Sequence, residues 1–257
     1  MAFPSPAVVL RGLSKRFGDK VAVDGLDLEV PPECFFGLVG PNGAGKTTTL
    51  RMVTGLLRPD AGEIVVDGLD VRYEAMAVKA RIGVLPEDLL LFERLTGAEL
   101  LTYTGLLRGL APDLVEDRAT ELLEVLGLAD DATTLVVDYS HGMRKKIALA
   151  AALLHGPRVL FLDEPFEAID PVSSRVIRSV LEGAIERGAT VVLSSHVMDL
   201  VERMCSHVAV MHAGRVVASG PIDDVRRGAS LEDAFVELVG ARDLGRGALG
   251  WYGPSSG

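Results

Sequence analysis

The sequence predicts an α/β fold: a parallel sheet covered by helices on two sides, an antiparallel β edge near the N-terminus, and a helical insertion mid-chain. Three patterns predict it. Runs that are apolar at every position (Phe35 to Val39, Val159 to Leu162, Val191 to Leu193, Val208 to Met211) are separated by helical segments, and strands buried on both faces belong to parallel sheets. Near the start, Val21, Val23, Leu26, Leu28 and Val30 alternate with polar residues, as half-buried antiparallel strands do. From about Asp88 to His155 the apolar spacing becomes helical.

In chain order, Val8-Val9-Leu10 opens a set of short strands that turn at Gly18-Asp19, break near Gly25 and end at Pro31-Pro32. The strand Phe35 to Val39 runs into a glycine-rich loop at Gly40. A helix follows from Lys46 to about Leu57, with Leu50, Val53 and Leu57 on one face and Pro59 as its stop. Ile64 to Val66 and Asp67-Gly68 read as a hairpin with its turn. Glu99 to Leu107, Leu114 to Leu126 and Met143 to Leu154 suit helices, as do Ser173 to Glu186 and Met198 to Met204. No internal repeat is visible.

Composition narrows the function. The chain has 257 residues, 48% hydrophobic and 24% charged, which suits a globular core and excludes disordered or collagen-like classes. A formal net charge of −10 argues against a nucleic-acid partner, whose phosphates call for cationic surface. Cys34 and Cys205 have no metal-type spacing and read as reduced core thiols. No signal peptide is evident, and no run approaches the roughly 18 apolar residues of a spanning helix, so any membrane role is expected to come through a partner chain. Residues 7–240 read as one folded domain with an insertion over about 88–156. Residues 241–257 read as a loose Gly- and Ser-rich tail, its final Gly-Pro-Ser-Ser-Gly resembling a cloning remnant.

The chemistry starts at Gly40-Pro41-Asn42-Gly43-Ala44-Gly45-Lys46-Thr47-Thr48, which meets every fixed position of the phosphate-loop pattern G-x-x-x-x-G-K-[ST]. Glycines let consecutive main-chain N–H groups converge on phosphate oxygens, and the helix start adds its positive dipole end. Lys46 can reach the β and γ phosphates of a nucleotide, and the Thr47 hydroxyl can bind Mg²⁺. An isolated match could be a glycine turn beside a solvated lysine. A strand before and a helix after are what the nucleotide mechanism demands.

Val159-Leu-Phe-Leu-Asp163-Glu164-Pro165 places two acids after an apolar strand, at the sheet edge where ligands bind. Asp163 there can hold Mg²⁺ through water and Glu164 can polarise an attacking water. Alone, such a pair is usually a polar strand exit; beside a phosphate loop it completes a site. His196 follows the strand Val191 to Leu193 and, by the same edge argument, can reach a γ-phosphate.

These residues resemble the ATP-binding domain of ABC transporters, of the type serving multidrug and other exporters, over about Val8 to Gly240. Tyr139-Ser140-His141-Gly142-Met143, followed by Arg144-Lys145-Lys146, stands where the family carries its leucine-serine-glycine-glycine-glutamine signature. The resemblance implies a P-loop NTPase core with a signature-bearing helical subdomain. It also implies that Ser140 and the Gly142 amide bind the γ-phosphate held by an opposite subunit, which a helix start near Ser140 suits physically. By the same resemblance Phe17 stacks on adenine, Asp170 communicates across the dimer, and Ser230 to Phe235 is a short C-terminal helix. Three positions depart from the family pattern. His141 replaces the first signature glycine, Glu87 in Ile82-Gly-Val-Leu-Pro-Glu87 replaces a metal-binding glutamine, and Ala168 replaces a glycine. A carboxylate at 87 binds Mg²⁺ more strongly than an amide yet repels phosphate.

The function so implied is ATP binding and hydrolysis by a peripheral subunit on the cytoplasmic face of the cell membrane. It pairs with a second ATP-binding subunit (homo- or heterodimer) and drives transport, with export favoured, through a separate transmembrane permease. Glu164, His196 and Lys46 are the expected catalytic residues, and Thr47, Asp163 and Glu87 the expected Mg²⁺ ligands. Two alternatives stand beside it. A soluble ABC-type ATPase acting on nucleic acid or ribosomes conflicts with the single domain and acidic charge. A non-hydrolysing regulatory subunit is motivated by His141 and Glu87 but opposed by the retained Lys46, Asp163, Glu164 and His196.

Overall fold

The computed structural model describes residues 5–239; the tail expected at 241–257 and the domain limit at Gly240 lie outside them. β1 (Val8–Phe17) and β2 (Lys20–Val30) are longer than the short strands read from the sequence. Register shifts between Leu10 and Arg16 carry one strand through residues that break the alternation. β3 (Phe35–Val39) leads through the loop to α1 (Lys46–Val53). This helix ends before the expected Leu57, and glycine rather than Pro59 stops it. Gly55 takes φ 73°, and the Leu56 and Leu57 N–H groups turn back to the Arg51 carbonyl.

β4 (Ala61–Val66) and β5 (Leu69–Asp70) form the expected hairpin, with Asp67 and Gly68 both left-handed in the turn. α2 (Ala75–Arg81) and β6 (Ile82–Leu85) follow, neither legible as an element beforehand. Next come α3 (Gly97–Leu107), started by a capping box between Thr96 and Glu99, then α4 (Pro112–Val125) and α5 (His141–Leu153). β7 (Val159–Asp163), α6 (Pro171–Glu186), β8 (Thr190–Ser195), α7 (Met198–Met204) and β9 (His207–His212) alternate as expected. β10 (Arg215–Pro221), α8 (Ile222–Arg226) and α9 (Leu231–Val239) close the described chain, α9 where the C-terminal helix was expected.

The strands form two sheets. β2-β1-β4-β5 is antiparallel, and β10-β9-β3-β8-β7-β6 is parallel from β9 to β6 with β10 antiparallel at its edge. Two cores account for the fully apolar strands. Phe35, Val39, Leu160, Leu162, Val191, Leu193, Val208 and Val210 face one core, shared with helices including α5 and α6. Phe36, Leu38, Phe161, Val192, Ala209 and Met211 face the other, shared with α1 and the antiparallel sheet. Side chains alternate across a strand, so both faces need apolar residues. Gly37 marks a close approach of α7 to the sheet: a Cβ there would stand 2.3 Å from Cγ1 of Val201. Cys34 and Cys205 are buried free thiols, and burial pushes them up to about 11 and about 12 respectively, so they stay protonated.

Candidate nucleotide site

Four neighbouring parallel strands deliver the candidate residues to one edge. β3 opens into Gly40, β7 ends at Asp163-Glu164, β8 is followed by His196, and β6 by Pro86-Glu87. Between them lies a cleft of 240 Å³, lined from the loop and α1 by Asn42, Gly43, Gly45, Lys46, Thr47 and Thr48, and across from them by Glu87, Glu164, Glu167 and His196. Lys20 and Ala22 of β2 border it too.

The loop conformation requires glycine at two places. Gly45 has φ 107°, and a Cβ there would stand 2.5 Å from the Ala22 carbonyl. A Cβ on Gly40 would stand 2.2 Å from the Met211 carbonyl. Gly45 caps α1 without a side-chain hydrogen bond, so the first-turn amides are not claimed by a capping side chain and can serve an anion. Lys46 is buried; its ammonium donates to the Gly40 carbonyl at 2.8 Å and lies 3.6 Å from Oε1 of Glu164. Its longer approach to the Pro41 carbonyl, 3.4 Å, closes the loop around it, with Ala44 packed in the core beneath.

Opposite, Thr47 Oγ1 donates toward Asp163 Oδ1 at 3.2 Å, with Glu87 Oε2 at 3.5 Å. This all-oxygen set of one hydroxyl and two carboxylates fits the hard cation Mg²⁺. Glu164 is buried, its Oε1 3.1 Å from His196 Nδ1. Ser194 organises both acids: its hydroxyl donates to Asp163 Oδ1 and accepts the Glu164 N–H at 3.0 Å. The sequence signal for it was a Ser-Ser end on an otherwise apolar strand. Glu167 was also missed, although it shares the Glu-Pro-Phe-Glu loop with Glu164.

Glu164 and Ala168 both take positive φ, 47° and 54°, within that loop. Lys145 of α5, buried, braces it from below by donating to the Glu164 carbonyl at 2.7 Å and the Glu167 carbonyl at 2.9 Å. Burial pushes its ammonium below the usual lysine range, against the opposing pull of Glu167, Glu164, Glu87 and Asp163. The left-handed conformation of Ala168 explains why glycine suits this position. Ala168→Gly is expected to stabilise the chain by about 0.5–1 kcal/mol, roughly 2 °C in midpoint, the relief of strain outweighing the added freedom of the unfolded chain. Differential scanning calorimetry checks it; a lower midpoint would mean that the alanine is not strained.

The structure does not bring every expected residue into this cleft. Ser140 caps α5, its hydroxyl accepting from the Met143 N–H at 3.2 Å, and both Ser140 and His141 are exposed. Neither Ser140 nor Gly142 lines the cleft. Phe17 is half exposed, at 51%, with the Lys15 ammonium 5.6 Å from its ring centroid, and also lies outside the lining. Asp170 caps α6 by accepting from the Val172 and Ser173 N–H groups, the Ser173 bonds holding its carboxyl below the usual range.

A glycine-rich loop between a parallel strand and a helix, carrying a buried lysine and faced by two strand-end acids, defines a phosphate-loop nucleotide-binding protein. The profile of the family described as ABC transporter matches residues 23–167. The daunorubicin resistance ATP-binding protein DrrA3 of Streptomyces coeruleorubidus is 41% identical over 93% of this chain and 76% of its own length. The linearmycin resistance ATP-binding protein LnrL of Bacillus subtilis is 37% identical over 83% of this chain and 68% of its own. A solved structure described as the ATP-binding subunit of an ABC transporter superposes with a TM-score of 0.85 at 30% identity, covering 91% of this chain and 99% of that one. The chain belongs to the ABC transporter family and is an ATP-binding, ATP-hydrolysing transporter subunit. Among the described residues no helix is long and apolar enough to cross a membrane.

Proposed function

We propose that residues 7–240 form one ATP-binding domain that works as half of an ATP-sandwiching pair, at the cytoplasmic face of the cell membrane, driving export through a separate permease. One observation carries the paired arrangement. The signature segment offers a capped, exposed helix start, yet it lies outside the cleft built by its own phosphate loop. A second ATP-binding subunit facing the first would supply that segment to the cleft. Export rests on the drug-resistance names of the relatives. The net charge of −10 continues to oppose a nucleic-acid partner.

In this reading Lys46 and the loop amides hold the β and γ phosphates, and Phe17 covers the adenine. Thr47, Asp163 and Glu87 would hold Mg²⁺, which would neutralise charge on the phosphate oxygens. Glu164 accepts the proton of the attacking water. His196, its Nδ1 turned to Glu164, presents Nε2 to the γ-phosphate. Ser140 and Gly142 close over the same phosphate from the second subunit, and Asp170, beside Gly142, lies at the same interface.

An exposed apolar surface of the helical insertion supports a docking face there for the permease. Leu90, 92% exposed, stands there with Phe92 and Tyr103, whose rings meet edge to face at 5.1 Å. A patch of this kind on an otherwise acidic chain marks a protein contact.

Gly142→Asp tests the pairing. A Cβ at Gly142 meets nothing nearer than 3.6 Å, where the Asp170 carboxylate and Ser173 hydroxyl stand, so the backbone has room for a side chain, and a folded single chain is checked by its unchanged thermal midpoint. The added carboxylate would stand against phosphate. The expected result is ATP affinity of the single chain unchanged, no ATP-dependent dimer in light scattering, and turnover down on the order of 100-fold. Full turnover in Gly142→Asp would remove the sandwich.

A further inference from the structure

We infer that Lys145 is a positioning residue that ties the phosphate-facing start of α5 to the main chain of Glu164 within one subunit. The inference rests on Glu164 being the base and on Ser140–Gly142 meeting a phosphate.

Three observations carry it. Lys145 lies just past the first turn of α5, on the helix that begins at the Ser140 cap, so its backbone moves with that cap. The residue is 4% exposed, and a buried ammonium is retained only where acceptors and counter-charges surround it. Here the acceptors are two carbonyls of one loop, those of Glu164 and Glu167, at 2.7 and 2.9 Å.

The Glu164 carbonyl is where such a contact has leverage. With φ 47°, Glu164 sits in a left-handed conformation that is costly for an L-residue and persists only when neighbours hold it. Two groups do so. Ser194 takes its N–H and Lys145 its carbonyl, which leaves the carboxylate pointed at Lys46 and His196. A shift of α5 therefore reaches Glu164 through one ammonium. In a pair of subunits, the segment touching one nucleotide is thereby linked to the base acting on the other.

Lys145→Met keeps the length and apolar stem but removes the ammonium. The expected result is unchanged affinity for a fluorescent ATP analogue, turnover lower on the order of 100-fold from a misplaced base, and loss of sigmoidal ATP dependence. Lys145→Arg, which restores donors and charge, should recover most of the turnover. Wild-type turnover in Lys145→Met, or nucleotide affinity lost in step with turnover, overturns the inference. If the methionine variant does not fold, Lys145→Gln decides instead. Its shorter side chain cannot reach both carbonyls, so normal turnover there overturns the coupling and slow turnover with intact affinity supports it. Glu164→Gln measured alongside separates the two levels. If that variant is inactive while Lys145→Met is normal, only the coupling fails; if Glu164→Gln is itself normal, the base assignment fails.

Discussion

Glu164→Gln should bind ATP with near-native affinity yet hydrolyse it roughly 10²–10⁴-fold more slowly, the span a positioned general base supplies. That loss corresponds to about 3–5 kcal/mol of transition-state stabilisation. Glutamine has the same shape, so the contacts of the buried Glu164 side chain to His196 at 3.1 Å and Lys46 at 3.6 Å can be kept in outline. What disappears is the ability to accept a proton. A closed pair that cannot reopen by hydrolysis should then accumulate, visible as an ATP-dependent dimer by size-exclusion chromatography. Single-turnover hydrolysis at the wild-type rate would show that the base lies elsewhere.

Lys46→Ala should show the other large effect, on binding itself. The ammonium is buried, and a charge-assisted hydrogen bond contributes about 1.5–3 kcal/mol, so nucleotide affinity should weaken roughly 10- to 100-fold. The substitution also leaves the Glu164 carboxylate buried without its neighbouring cation, which adds repulsion toward phosphate. Thermal unfolding with Mg-ATP gives the readout: ATP at 100 times its wild-type dissociation constant stabilises the wild type by about 2.7 kcal/mol, and the variant should keep only about 0.4–1.4 kcal/mol of that. An unchanged ATP-induced shift would remove the phosphate loop from the binding site.

The two variants bear on different steps, and both sets of residues are legible in the sequence. Lys46 was found by the spacing of the phosphate-loop motif, and Asp163, Glu164 and His196 by one rule: apolar runs buried on both faces are parallel strands, and residues just after them share an edge. β3, β7 and β8 place them there. Glu87 was found by resemblance alone, because β6 has only four residues and carries Gly83 in its middle. That glycine is explained by packing, since a Cβ there would stand 2.3 Å from the Ala152 carbonyl of α5.

The early end of α1 shows a different limit. Leu57 kept the helical spacing, and Pro59 was a plausible stop, but Gly55 reached the left-handed region first and its neighbours' amides folded back on Arg51. Spacing reports which face a residue prefers; it does not report which of two breakers acts first. The long β1 and β2 illustrate the same point, because bulges let strands continue where the alternation fails.

The sequence by itself determined the fold class, the phosphate loop and the identity of the charged groups around it, since each follows from local pattern: periodicity, glycine spacing, and acids after apolar runs. Only the tertiary structure decided that Ser140 and Gly142 lie outside their own cleft, that Ser194 orders both acids, and that Lys145 holds the loop of Glu164 from beneath. Those facts depend on which distant segments pack together. A lysine in a helix reads as solvated until the fold buries it against carbonyls 19 and 22 residues away.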